Sequence, residues 1–158
     1  MPALSVLLPL AFLFAPVSPD FARPCASHIP QAWTGPIRAA ALADCAFSTE
    51  SQTTGAEAWA KYAAEDAASG TLRGPSEIKA AQAKAYARAG YKLLWYPTEA
   101  KQMGSFVVTT GRWERHMPNP QGGEAEVLHG RYVTMWQLQK DGAYRWVWDG
   151  GEQDEAAR

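Results

Sequence analysis

After Gly90 the chain changes its period, and no other feature constrains the fold as much. Before that point alanines and large apolar residues recur at every third or fourth position, and after it β-branched and aromatic residues alternate with polar ones. In the stretch 37–51, Ala40, Ala43 and Phe47 fall on one helical face, and Gly35 and Pro36 supply a proline at the start. Residues 54–57 (TGAE) have the form of a capping box, which predicts a second helix with Trp59, Tyr62 and Ala63 on one face, ending near residues 64–67. Residues 74–77 (GPSE) open a third helix, with Ile78, Ala81, Gln82 and Ala85 in phase and Gly90 at the C′ position. Strands are predicted at 92–96, 105–114, 127–139 and 144–149, in an antiparallel meander. Helices first and strands later make an α+β fold, with three N-terminal helices packed on one face of a curved, mostly antiparallel sheet.

The last hairpin has two candidate registers, and a shift of one residue moves every side chain to the other face. A two-residue Asp141-Gly142 turn sets Trp136 beside Val147. A three-residue loop, Lys140-Asp141-Gly142 with Gly142 left-handed, gathers Tyr132, Thr134, Trp136, Leu138, Tyr144, Trp146 and Trp148 on one side. It leaves Arg131, Gln137, Gln139, Arg145 and Asp149 opposite, with Val133, Met135 and Val147. The second register segregates apolar from polar more cleanly and is the expected one.

Composition narrows the partners. A chain of 158 residues with 47% hydrophobic and 20% charged side chains can bury one sizeable core. A net charge of −1 and the lack of a Lys/Arg cluster argue against nucleic acid. Seven tryptophans, most of them in the second half, call for a deep interior or a pocket.

Residues 4–17 form a nearly continuous apolar run broken by Pro9 and Pro16, and no charged side chain occurs before Asp20. This reads as the h-region of a leader spanning residues 1–22, with Ala22 a possible cleavage site, and hence as an exported protein, periplasmic or secreted. The run is shorter than the ~20 apolar residues of a membrane span, so no stable span is expected after processing. The alternative is a disordered or misassigned N-terminus. Residues 23–36, with Pro24 and Pro30, read as a linker into a domain at 37–151, and 152–158 as a polar tail. Both cysteines, Cys25 and Cys45, follow the leader, so an oxidising compartment allows a disulfide worth about 3 kcal/mol. The alternative is a buried Cys45 and a free Cys25. Cys25 and His28 have the spacing of half a metal site, but no second ligand pair follows, so no metal is expected.

The run HGRYVTMWQLQKDGAYRWVWDGG at 129–151 resembles the ending of SnoaL-like domains in the nuclear-transport-factor-2-like superfamily. There a Gly-Arg-Tyr-x-Thr-x-Trp strand precedes an Asp-Gly turn and a strand ending in Asp. Upstream, Ala46 and Phe47, the stretch GAEAWAKYAAEDA at 55–67, the loop 70–74 and TTGRWE at 109–114 follow the family's order. The segment 67–69 departs from it, being less apolar than the strand usually found there. The resemblance implies a cone-shaped fold and a homodimer formed through the open sheet face. It implies no activity, because relatives include ketosteroid isomerases, polyketide cyclases, dehydratases, epoxide hydrolases and members without known catalysis.

Enzymes of this kind hold a carboxylate or histidine in an apolar cavity, where desolvation brings its pKa towards neutrality. The resemblance puts Asp66 near the cone mouth as candidate base. The strand reading sets His129 at the start of the third strand and His116 at the end of the second, at one rim of the sheet, with His129 or a tyrosine as the catalytic partner. Solvent-facing or structural roles are the alternatives for all three. Asp149 is expected to anchor the last strand or to pair with Arg131 or Arg145. Trp59, Tyr62, Tyr86, Trp95, Trp113, Tyr132 and Trp136 are candidate ligand-binding residues, and a tyrosine among them could polarise a carbonyl. No nucleophile with a paired base and no phosphate loop is present, so no cofactor is expected. Two functions remain open: a binding protein for a small apolar molecule, and a cofactor-free isomerase, cyclase or dehydratase.

Overall fold

The computed structural model describes residues 15–155. The first 14 positions of the expected leader lie outside the described residues.

The helices are α1 (Pro19–Ala22), α2 (Gly35–Thr54), α3 (Ala56–Tyr62) and α4 (Gly74–Tyr86), with a 3-10 turn at Cys25–His28. The strands are β1 (Ala63–Ser69), β2 (Leu72–Arg73), β3 (Lys92–Met103), β4 (Phe106–Met117), β5 (Glu126–Leu138) and β6 (Tyr144–Gln153). They form one open six-stranded sheet in the order β2-β1-β6-β5-β4-β3, antiparallel except for β1 beside β6. Helices α2, α3 and α4 cover one face, here the inner face. The expected α+β architecture is therefore present.

The core is aromatic. Phe47 of α2 meets Trp59 and Trp95 edge-on, with centroids 5.0 and 4.8 Å away, and stacks on Tyr62 at 5.2 Å. Trp136 and Trp146 are fully buried beneath it, and Ile78 ties α4 to the same cluster. Buried indoles need partners for their N–H groups. Trp59 Nε1 donates to Tyr86 Oη at 3.2 Å and Trp136 Nε1 to Thr109 Oγ1 at 3.0 Å.

Three local expectations are corrected. The capping box does not form: Gly55 ends α2 and starts α3 at φ +58°, and the Thr54 hydroxyl donates back to the Glu50 carbonyl. Only glycine suits this corner, since a Cβ there would also press on the Tyr86 ring at 3.2 Å. The second helix stops at Tyr62, and residues 63–69 become a strand despite their alanines. Burial of Ala63, Ala64 and Ala67 and pairing with β6 outweigh a helix propensity of a few tenths of a kcal/mol per residue. Helix α4 ends at Tyr86, and Gly90, at φ +88°, turns the chain into β3 instead of capping the helix directly.

Strand β3 runs past its expected end through Pro97, which is tolerated on this edge strand, and bulges between Pro97 and Glu99. The β5–β6 hairpin closes as expected with Gly142 at φ +82°, Gln139 N–H donating to Ala143 O, and Leu138 opposite Tyr144.

The N-terminal segment belongs to the fold. A Cys25–Cys45 disulfide ties the 3-10 turn to α2, with Cα atoms 5.3 Å apart. Phe21 packs on Tyr96 with centroids 5.0 Å apart, and the His28 ring stacks on Tyr96 at 3.8 Å. Residues 18–28 thus lie along β3 and over the outer face of the sheet, and cleavage after Ala22 would remove α1 from it. The expected tail begins inside β6, and Asp154 beyond it pairs with Arg112.

Candidate functional site

Paired positions across β4, β5 and β6 build a cavity on the inner face. One level holds Thr109, Thr134 and Asp149, the next Gly111, Tyr132 and Gly151, the third Trp113, Gly130 and Gln153, and the last Arg115 with Leu128. The glycines make room for their neighbours' rings. A Cβ on Gly130 would overlap the Trp113 indole, and one on Gly111 the Tyr132 ring. Trp113 therefore lies across β5, with Nε1 donating to Arg131 O at 3.1 Å. The resulting space is about 280 Å3, walled by Phe47, Trp59, Leu93, Trp95, Trp113 and Tyr132, with Arg115 and Asp149 among its polar lining. That is near the small end of the ~300–1,000 Å3 usual for ligand pockets.

Behind the wall lies a buried carboxylate that pattern reading missed. Asp44 on α2 is 1% exposed and accepts from Trp95 Nε1 at 2.8 Å, Thr109 Oγ1 at 2.7 Å and Tyr132 Oη at 2.8 Å. Burial pushes its pKa up to about 6 against the pull of those three hydrogen bonds. Burial, and next the Asp44 charge, push the Tyr132 hydroxyl well above its ordinary value, so it remains a donor to Asp44. The sequence held one signal for Asp44: it is in phase with Ala40, Ala41, Phe47 and Ser48 on the buried face of α2.

Asp149 reaches the cavity through a bulge. Met135 pairs with Trp148 and Trp136 with Trp146, so Val147 is an extra residue in β6. The hairpin register predicted for Tyr144 and Trp146 holds up to this point and then inverts. Trp148 turns to the outer face, where it is 42% exposed, and Asp149 turns inward. Its Oδ1 accepts from Thr134 Oγ1 at 2.6 Å, and no basic side chain among the described residues pairs with it. Arg131 lies nearest Asp154 instead, and Arg145 bonds Asp141. Burial raises the Asp149 carboxyl to about 6, opposed by the Thr134 bond and helped by the Asp44 charge.

The outer face carries a second polar cluster. Glu114, fully buried, receives His116 Nε2 on Oε1 at 2.7 Å, His129 Nε2 on Oε2 at 3.0 Å and the Ser18 N–H at 3.2 Å. Burial pushes this carboxyl up, but the bonds from Ser18, His116 and His129 together prevail and hold it below the ordinary range. Ser18, His129 and Glu114 have the residue types of a hydrolytic triad without its geometry. Ser18 Oγ at 3.5 Å and Glu114 both approach the same nitrogen, Nε2, so the imidazole cannot relay a proton between them.

The proposed catalytic pair is not brought together. Asp66 lies in β1, exposed, in the stretch where β1 loses register with β6. His129 is on the outer face, across the sheet from the cavity, as is His116. Of the candidate ligand-binding residues, Trp59, Trp95, Trp113 and Tyr132 line the cavity. Trp136 is core, Tyr62 donates to Glu50, and Tyr86 accepts from Trp59. No group of metal-ligating side chains occurs among the described residues.

No family model matches the sequence, and no curated protein matches it. Solved structures are similar in fold. A ketosteroid isomerase-like protein from Erwinia carotovora atroseptica is 10% identical with a TM-score of 0.66, covering 78% of this chain and 100% of its own. An NTF2-like protein with a cystatin-like fold from Novosphingobium aromaticivorans is 12% identical with a TM-score of 0.59, covering 75% and 82%. An NTF2-like superfamily protein from Salmonella enterica serovar Typhimurium is 11% identical with a TM-score of 0.58, covering 75% and 91%. With helices on one face of an open, bulged sheet and a pocket between them, the chain has the nuclear-transport-factor-2-like cone fold.

Proposed function

We propose that this protein binds a small, flat, mostly apolar molecule in its inner-face cavity. The carrying observation is the lining: five aromatic side chains, Phe47, Trp59, Trp95, Trp113 and Tyr132, around a space of about 280 Å3, with the charged groups towards its ends. Burying a planar ligand there gains apolar contact at about 25 cal/mol per Å2, and the aromatic faces are already in place.

The neutral dye N-phenyl-1-naphthylamine tests this, because three of the walls are tryptophans that report occupancy. Saturable quenching of tryptophan emission, weakened at least fivefold by Trp113→Ala, is expected. No saturable change in the wild type refutes the reading.

A second reading is favoured by Asp149 alone. A carboxyl with a pKa of about 6 facing an apolar space is suited to taking a proton from a carbon acid and returning it. Against it, the Tyr132 hydroxyl donates to Asp44, so the hydroxyl nearest to an oxyanion stabiliser is already engaged. Solvent deuterium exchange into a bound ketone, abolished by Asp149→Asn, would support catalysis. Binding without exchange would leave the protein a carrier.

Export is part of the proposal. It is supported by the apolar run at 4–17 and by a disulfide of the kind that persists in oxidising compartments. Intact-mass measurement of protein from its host tests processing, and a full-length cytoplasmic product would refute it. Dimerisation through the outer face is supported by Val133 and Trp148, exposed by 38% and 42%. Sedimentation that finds only monomer at high concentration would refute it.

A further inference from the structure

The cavity has two ends of different chemistry. Asp149 stands at one level, and Arg115 three same-face levels away on β4, about 20 Å along the backbone at ~3.4 Å per residue. Between them lies the aromatic wall.

Arg115 differs from the other arginines of β4, β5 and β6. Arg112 pairs with Asp154, Arg145 with Asp141, and Arg131 lies within 3.8 Å of Asp154. Arg115 has no carboxylate partner among the described residues. Its guanidinium carbon sits 5.2 Å from the Trp113 ring centre, its Nε is buried without any hydrogen-bond acceptor, and its Nη2 reaches only Gln153 Oε1, at 3.4 Å. Glu152 does not serve it, since that residue alternates to the outer face opposite Arg131. A guanidinium keeps its charge at every physiological pH, and leaving a buried donor unpaired is costly. Arg115 lines the pocket, and its outer Nη groups carry only the long bond to Gln153, so a ligand there can supply what the protein does not.

Resting on the pocket reading above, we infer that the natural ligand carries a carboxylate on its flat apolar frame and that Arg115 at the cavity's edge receives it. A carboxylate matches the planar guanidinium in geometry and can accept two parallel N–H bonds. The frame then lies over Trp113 with its apolar end towards Tyr132. The opposite orientation would set two carboxylates against each other at Asp149. The ligand class is thus a small aromatic or polycyclic acid, distinct from the neutral ketones and hydrocarbons that an aromatic lining alone would accept.

The test compares 2-naphthoate with its neutral isostere 2-naphthamide by tryptophan quenching, in wild type and in Arg115→Gln, with circular dichroism to check that the variant is folded. Wild type should bind the naphthoate at least tenfold more tightly than the amide, and 0.5 M NaCl should reduce that ratio. Arg115→Gln should bring the ratio to within about twofold, chiefly by weakening the acid. Equal affinities in wild type, or a preference for the acid that survives in Arg115→Gln, overturn the inference and leave the pocket reading intact. If neither compound binds wild type, both fall. A variant that fails to fold is replaced by Arg115→Lys, which should retain a reduced preference for the acid, and an undiminished one would also overturn the inference.

Discussion

Replacing Asp44 by asparagine should lower stability and also change how stability depends on pH. The carboxyl titrates near 3.8 when unfolded and at about 6 when folded, because burial disfavours its charge. A raised acid pKa means that the native state binds the proton more tightly than the unfolded one. Its contribution is therefore most favourable at low pH, declines as pH rises between about 4 and 6, and is flat above that. At ~1.36 kcal/mol per pKa unit the full effect is about 3 kcal/mol, of which nearly half falls between pH 5 and pH 8. Other carboxyls pull the opposite way, since Glu114 and Asp154 are held low and lose stability on acidification. The difference between wild type and variant removes these, leaving Asp44 and, in the same direction, the smaller change that its lost charge makes at Asp149.

Asparagine fits the site imperfectly. Its oxygen can accept from Trp95, but its amide must then face Thr109 and Tyr132, and the Thr109 oxygen already accepts from Trp136. Misplaced donors should cost about 1–3 kcal/mol at pH 5. Urea unfolding of both proteins at pH 5 and pH 8 gives the four free energies required. The penalty of the substitution should shrink by about 1.4 kcal/mol on going to pH 8. A penalty that stays constant or grows would refute a folded-state pKa raised by burial.

Gly130→Ala should displace the Trp113 indole from β5, costing about 1–3 kcal/mol in thermal unfolding and abolishing dye quenching; an unaltered melting temperature would contradict the close approach. Cys25→Ala with Cys45→Ala should cost about 3 kcal/mol, read by urea unfolding without reductant, and protein prepared without reductant should show no reactive thiols when denatured. Trp148→Ser should cost the monomer about 1–2 kcal/mol, because more than half of the indole is covered, and should weaken self-association if the outer face dimerises.

Much of this architecture was legible where one physical signal dominated. The period change at Gly90, the helical faces of Phe47 and Trp59, and the Gly142 loop are local patterns, and each reports its element directly. The strand at 63–69 was not legible, because its alanines favour helix and only the neighbouring β6, 80 or more positions away, makes a strand of them. Asp149 shows how little separates a correct register from a wrong site. The turn predicts Tyr144 and Trp146 correctly, yet one extra residue at Val147 sends every later side chain to the other face. No pattern of hydrophobicity announces that bulge, since Trp148 and Val147 suit either face. Asp66 and His129 were attractive as residue types, but Asp66 is exposed in β1 and His129 lies on the outer face of β5, and the inward-facing groups proved to be Asp149 and Arg115.

The most direct test of the account follows the Asp149 carboxyl itself. Carbon-13 NMR of labelled aspartates, assigned with Asp149→Asn, gives its titration midpoint in the free protein and with N-phenyl-1-naphthylamine bound. The account predicts a midpoint of about 6 in the free protein. It predicts a higher one when the apolar dye displaces water from the cavity. A midpoint in the ordinary carboxyl range that saturation with dye leaves unmoved would mean that Asp149 does not face the binding site.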